Sequence, residues 1–161
     1  MKIILLTKKQ VTMVDDEDFD YLNQWKWNAH WNKNTNSYYA VRSSGPRNKI
    51  ESFRMNRTIM NTPKGMICDH INHNTLDNRK ENLRNVTPSQ SSMNRRTHSN
   101  NKFGEKCISS HGYGFRVIIQ KERKIVIRKT YKNLEDAIKA RDIALVKYHG
   151  EFGHLPEKKQ Q

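Results

Sequence analysis

Cysteine is nearly absent from this sequence. The two present, Cys68 and Cys107, lie far apart and form no CxxC pair. That count excludes a disulfide framework and a four-cysteine zinc site. Long apolar runs are missing as well. The opening MKIILLT places four apolar residues in succession, Ile3 to Leu6, too few for a signal peptide or a membrane span; a first β-strand is the better reading. Acid is scarce relative to base, with 16 Asp and Glu against 30 Lys and Arg and a formal net charge of +14. Such an excess is the electrostatic footprint of a nucleic-acid partner. Membranes attract cations too, but an interfacial anchor would show a long helix with aromatics and Leu along one side, and there is none. A reducing, cytoplasmic setting fits these absences.

What remains can build small cores. Three Trp, six Tyr and five Phe supplement the aliphatics in a chain whose length suits one or two small domains. KIILLT reads as a strand. In DDEDFDYLNQWKW, Phe19, Leu22 and Trp25 recur at helical spacing behind an acidic start that suits a helix N-terminus. WNAHWNKNTNSYYAVRS reads as strand, Asn-rich turn and strand, and KIESFRMNRTIMN as a further strand or short helix. MICDH is a short apolar strand, followed by a polar turn and then material that can be helical from about Asn78. SQSSMNRRTHSNNKFGEK has almost no apolar residues and no periodicity. It reads as a linker lying on something negative, given Arg95, Arg96, Lys102 and Lys106.

The last third alternates clearly. Phe115, Val117 and Ile119 fall on one strand face and Arg116, Ile118 and Gln120 on the other; KERK turns, and Val126, Arg128 and Thr130 share a face of the next strand. An amphipathic helix follows, with Asn133 as N-cap and Glu135 and Asp136 in the first turn. Leu134, Ala137, Ile138, Leu145 and Tyr148 form its stripe, and Gly150 ends it. The fold class expected is α+β: a small β-rich N-terminal unit, then a three-stranded antiparallel sheet packed on one helix.

The chemistry points to Asp69-His70, with Asn82 twelve positions after the histidine. Hydrolysing a phosphodiester needs a base for water and a cation for the charge on the leaving oxygen. An adjacent carboxylate and imidazole at a strand end can divide those tasks, since the first offers a hard oxygen and the second titrates near neutral pH.

The run CDHINHNTLDNRKENLRNVTPSQSSMNR closely resembles the HNH motif of phage and intron homing endonucleases, in its DHIN start, LDNR turn, ENLR helix start and VTPSQ segment closing with NR. LTKKQVTMVDDEDFDYLNQWKW and FRMNRTIMNTPKG resemble that family's usual leader, so the resemblance covers roughly residues 1–96. It implies two short antiparallel strands and a helix around one divalent ion, Mg²⁺ or Mn²⁺, the ββα-metal arrangement. It further implies His70 as general base, Asp69 as a metal ligand, and Asn82 as the residue that bonds within the loop and keeps the base oriented. Arg84 is either a phosphate contact or the structural partner of Asp77.

Two positions depart from the family pattern. Ser91 stands where relatives carry a second ligand, Asn or His; a hydroxyl is the poorer ligand, and Asn94, one helical turn on, could substitute. A weakened or inactive DNA-binding protein is therefore the alternative reading. Asn56 stands in FRMNR where relatives carry His. His73 reads as an exposed loop histidine and Cys68 as core. His30, His98, His111, His149 and His154 read as surface or packing residues.

The segment from GYGFRVIIQK to HGEFGHL resembles the DNA-binding domain of plant Apetala-two and ethylene-response factors, over residues 103–155. In that family the sheet enters the major groove. Arg116, Lys121, Arg123, Lys124, Arg128, Lys129 and Lys132 face one acid, Glu122, between residues 116 and 132. Arg116 and Arg128 would suit guanine edges, and Lys121, Arg123 and Lys124 phosphates. The expected domains are a nuclease over 1–96 (motif 66–96), a basic linker over 97–105, a DNA-binding domain over 106–155 and a tail over 156–161. The expected partner is double-stranded DNA, bound by a monomer with no membrane and no obligate protein partner. A mobile element of a phage, acting in its bacterial host, is the origin that the resemblance implies.

Overall fold

A computed structural model describes residues 1–97 and 101–153. His98, His154 and the expected tail lie outside the described residues. The fold is α+β, with four small antiparallel sheets among the described residues, and it divides into two compact units, Met1–Thr87 and Pro88–Gln161. No helix among the described residues is long and apolar enough to cross a membrane.

The first unit begins with a hairpin of β1 (Lys2–Leu5) and β2 (Val11–Val14). Its alternation buries Ile4, Thr12 and Val14 and turns Ile3, Leu5 and Val11 outward. Helix α1 (Asp16–Leu22) is shorter than the spacing of Phe19, Leu22 and Trp25 predicts, because Asn23 caps it. Trp27 lies beyond the helix and fills the core instead, its indole N–H donating to the Leu22 carbonyl at 2.9 Å. The acidic start of α1 has a second use: Glu17 and Asp18 hold the Lys80 ammonium, and Asp15 accepts from the Lys80 backbone at 2.7 Å. Strands β3 (Asn28–Asn32), β4 (Ser37–Ser44) and β5 (Glu51–Arg54) form an antiparallel sheet in that order. KIESFRMNRTIMN proves to be both strand and helix, since α2 (Met55–Ile59) follows β5 directly. Arg42 of β4 stacks its guanidinium on Trp25 and Phe53, each ring centroid 4.3 Å away.

The segment expected to be helical from Asn78 contains a 3-10 turn, Lys80–Asn82, and then a strand, β7 (Leu83–Val86). It pairs antiparallel with β6 (Ile67–His70). Leu83 and Val86 are buried, and pairing with β6 satisfies the β7 backbone, so cross-strand contact overrides local helical tendency.

In the second unit, α3 (Pro88–Met93) occupies the start of the expected linker, and Met93 is buried. Lys106, also assigned to a negative partner, instead donates to the Met93 carbonyl; burial lowers its pKa. Strands β8 (Ile108–His111), β9 (Gly114–Lys121) and β10 (Lys124–Tyr131) form the expected three-stranded sheet, covered by α4 (Leu134–His149). A bulge between Ile125 and Ile127 alters the simple alternation of β10: Val126 and Ile127 both pack on the core. Asn133 caps α4, accepting from the Asp136 backbone at 2.8 Å. The sequence stripe omits the helix's most buried long side chain, Arg141. Its guanidinium holds Glu105 and the Lys106 carbonyl, at 2.8 and 2.9 Å. His149 is a packing residue, donating from Nε2 to the Gln120 carbonyl at 2.8 Å.

Candidate functional site

Strand β6 ends at His70, and there the chain enters a loop rich in Asn and Asp, with Asn72, Asn74, Asp77 and Asn78. Asn82 staples it. Its side-chain oxygen accepts from the Asn72 backbone at 2.9 Å, and its amide donates to the Asp77 carbonyl at 2.9 Å. Its own carbonyl accepts from the Ile71 backbone at 2.9 Å. Asn72 and Asn74 add side-chain turns of the Asx kind, accepting from the backbone two residues on. Asp77, 1% exposed, receives the Arg79 guanidinium on both oxygens at 2.8 Å and the Asn72 amide at 3.1 Å. Those cationic and amide donors hold its carboxyl below the usual range, and they leave it committed to structure.

The loop is also sewn to β2: the Met13 backbone donates to the Leu76 carbonyl, and the Asn78 backbone donates to that of Met13, at 2.9 and 2.8 Å. His70 is therefore held by a fixed frame rather than a free turn. Its ring is 5% exposed, lies edge-on to Tyr39 of β4 at 6.1 Å between centroids, and sets Nε2 3.1 Å from the Asn78 side-chain oxygen. Burial pulls its pKa below the ordinary 6.5, against the Asn78 hydrogen bond and the charges of Asp69 and Asp77. Burial thus favours the uncharged imidazole, the state a proton acceptor needs.

Asp69 and Arg84 are direct cross-strand partners in the β6–β7 register, and their side chains form an ion pair at 3.2 Å. Thus the structural partner of Asp77 is Arg79, and Arg84 pairs with Asp69. Antiparallel register, which a linear sequence does not display, decides this. Asn56, buried in α2, donates to the Cys68 carbonyl at 3.1 Å and so braces β6 one residue before Asp69. Burial pushes the Cys68 thiol up to about 11, as suits a core residue. His73 is half-buried rather than exposed and sits at φ 63°, the left-handed region where a small residue is at ease.

Asp69, His70, Asn82 and Arg84 come together in the first unit. Ser91, in α3, and Asn94, 4% exposed, belong to the second, as do Arg95, Arg96 and Lys102. Among the described residues no group of three His, Cys, Asp or Glu could hold a metal ion. A single carboxylate with neutral oxygens and water is nonetheless a donor set that suits magnesium, which keeps much of its hydration. The sequence reading missed Thr12, Tyr39, Asn72, Asn74 and Asn78. The density of Asn and Asp in NHNTLDNRKEN was the available signal for the last three; nothing local marks Thr12 or Tyr39.

On the second unit, Arg116 pairs with Thr130 and Ile118 with Arg128, which puts Arg116 and Arg128 on the sheet face opposite buried Val117 and Ile119. Arg116 lies against His111. Glu122 and Arg123 make the two-residue turn at φ 50° and 65°, the left-handed pair that such a hairpin requires. Lys121 and Lys124 flank it, directly paired and exposed.

Residues 61–93 match the model of the HNH endonuclease family, a span that contains β6, the Asn-stapled loop, β7 and α3. The chain is also similar to an uncharacterized HNH endonuclease of Acanthamoeba polyphaga mimivirus. The two are 45% identical over 56 residues, which is 35% of this chain and 29% of that protein. The match thus spans less than a third of the relative's length. No solved structure matches the chain.

Proposed function

We propose that this protein is a metal-dependent endonuclease or nickase acting on double-stranded DNA. The observation that carries the reading is the loop within the matched segment: it presents a buried, ring-braced His70 at the end of the strand that also bears Asp69. His70 takes a proton from water as the water oxygen bonds to phosphorus. The bond from phosphorus to the 3′ oxygen breaks, the leaving oxygen gains a proton from solvent, and a 5′-phosphate end results. Asp69 would hold one divalent ion, Mg²⁺ or Mn²⁺; Ser91 and Asn94, the two candidates for a further protein ligand, belong to the second unit. When bound, such an ion supplies stabilisation of the charge on the leaving oxygen. Arg84 would leave Asp69 for a phosphate when the cation binds. Asn82 holds the loop that orients the base.

The C-terminal unit, by its resemblance to the Apetala-two type, would dock its sheet in the major groove. Arg116 and Arg128 would read guanine edges, while Lys121, Arg123 and Lys124 in the turn, and Arg95, Arg96 and Lys102 before the sheet, would follow phosphates. Replacing both Arg116 and Arg128 by Ala is expected to weaken binding to the cleaved duplex by about 30-fold to 10⁴-fold, from about 1–3 kcal/mol for each bidentate contact. Binding to unrelated duplex should change far less. Fluorescence anisotropy on both duplexes measures this, and equal losses on the two would remove the reading role of those arginines.

Cleavage of supercoiled plasmid pools and phage DNA tests the whole reading. Nicking or cutting that needs Mg²⁺ or Mn²⁺ and stops with chelator is the expected result. Ser91 favours a second reading, a DNA-binding protein that no longer cuts. A silent wild type whose Ser91→Asn variant cuts would establish a lapsed nuclease on an intact scaffold. Silence from both, with binding retained, would establish binding alone.

A further inference from the structure

The hydrogen bonds behind His70 support an inference that rests on the cleavage reading and goes deeper into its site. The Leu76 carbonyl can only accept, so the one hydroxyl proton of Thr12 goes to it, across 2.8 Å. Thr12 Oγ1 is then an acceptor toward Asn78, and Asn78 Nδ2 donates to it at 2.8 Å. With the amide nitrogen fixed there, Asn78 Oδ1 must face His70, 3.1 Å from Nε2. An oxygen that only accepts requires a proton on the nitrogen opposite. Neutral His70 therefore carries its hydrogen on Nε2 and its lone pair on Nδ1. Thr12, Asn78 and His70 are 0%, 1% and 5% exposed, so the chain of donors is sealed from bulk water. A sulfur contact from Met55 to the Asn78 amide, at 3.8 Å, closes its remaining side.

We propose that Thr12 and Asn78 are positioning residues that select the Nε2-protonated tautomer of His70, making Nδ1 the nitrogen that receives the proton of water. Neither touches the reacting atoms. Thr12 comes from β2, which lies outside the matched segment, so the N-terminal hairpin sets the state of the base. A ring protonated on the other nitrogen would offer water a donor where an acceptor is needed, and it would leave the Asn78 oxygen facing a lone pair.

The test uses the full chain labelled with ¹⁵N-histidine, with the His70 signals assigned by their loss in His70→Ala. Wild type is expected to show Nε2 protonated and Nδ1 bare. Thr12→Val removes the hydroxyl that pins the amide, so the amide can turn its nitrogen toward the ring. A substantial share of His70 should then carry the proton on Nδ1. The turnover rate kcat should fall by about tenfold or more, within the usual contribution of a positioned base, with KM for DNA unchanged. Thr12→Ser restores the hydroxyl and should restore both readouts. A wild-type ring protonated on Nδ1 overturns the proposal by itself, without any variant. So does a Thr12→Val protein that keeps both the wild-type tautomer and the wild-type kcat. If His70→Ala cleaves as well as wild type, His70 is not the base and Nδ1 receives no proton from water, while the nitrogen signals still judge the tautomer relay independently.

Discussion

His70→Ala is expected to lower the cleavage rate by about 10²–10⁴-fold, the usual contribution of a positioned base, or about 3–5.5 kcal/mol of barrier. Binding of DNA should be nearly unchanged, because the imidazole is 5% exposed and contributes little contact surface. The substitution also leaves the Asn78 oxygen without its donor and Tyr39 without its ring neighbour. An unsatisfied buried acceptor costs about 1–3 kcal/mol, so a lower melting temperature is expected together with the lost rate. Cleavage should therefore be compared at a temperature where both proteins are folded by tryptophan fluorescence. A variant that is folded and cuts within about threefold of wild type would exclude His70 as the base, since no positioned base contributes so little.

The second large effect belongs to the C-terminal unit and needs no assumption about catalysis. Arg141→Ala should destabilise that unit by about 3–5 kcal/mol. The side chain is 2% exposed and holds the Glu105 carboxylate and the Lys106 carbonyl. Breaking such a pair strands the partner rather than merely forfeiting the contact. A unit of this size has on the order of 4–10 kcal/mol in all, so much of its stability depends on one guanidinium. Arg141→Lys should rescue little, because an ammonium cannot reach a carboxylate and a carbonyl with a planar fork. All three tryptophans, Trp25, Trp27 and Trp31, lie in the first unit. Urea unfolding followed by tryptophan fluorescence should stay near wild type, while the far-ultraviolet circular dichroism transition moves to lower urea. Coincident wild-type transitions by both probes would show that Arg141 is dispensable.

Arg141 also shows where reading a sequence stops. Its helix was legible down to the Asn133 cap and the Gly150 stop, because capping and apolar spacing are local rules. The buried arginine was not, because beside its neighbour Asp142 it is held by Glu105 and Lys106, some 35 to 36 residues earlier in the chain. The β9–β10 hairpin was legible for the same local reason, apart from the bulge that brings Val126 and Ile127 together onto the core.

The candidate site divides along the same line. Composition settled the charge and the absence of a cysteine-built metal cage, and the resemblance to the HNH motif singled out Asp69, His70 and Asn82, because these depend on which residues are present and in what order. Register and long-range packing determined the rest. Pairing of β6 with β7 put Arg84 on Asp69 and left Asp77 to Arg79; β2 brought Thr12 to Asn78, and β4 brought Tyr39 to His70. A side chain's chemical type is written in the sequence, but the partner that sets its charge, tautomer and orientation is whichever group the fold carries within about 3 Å of it.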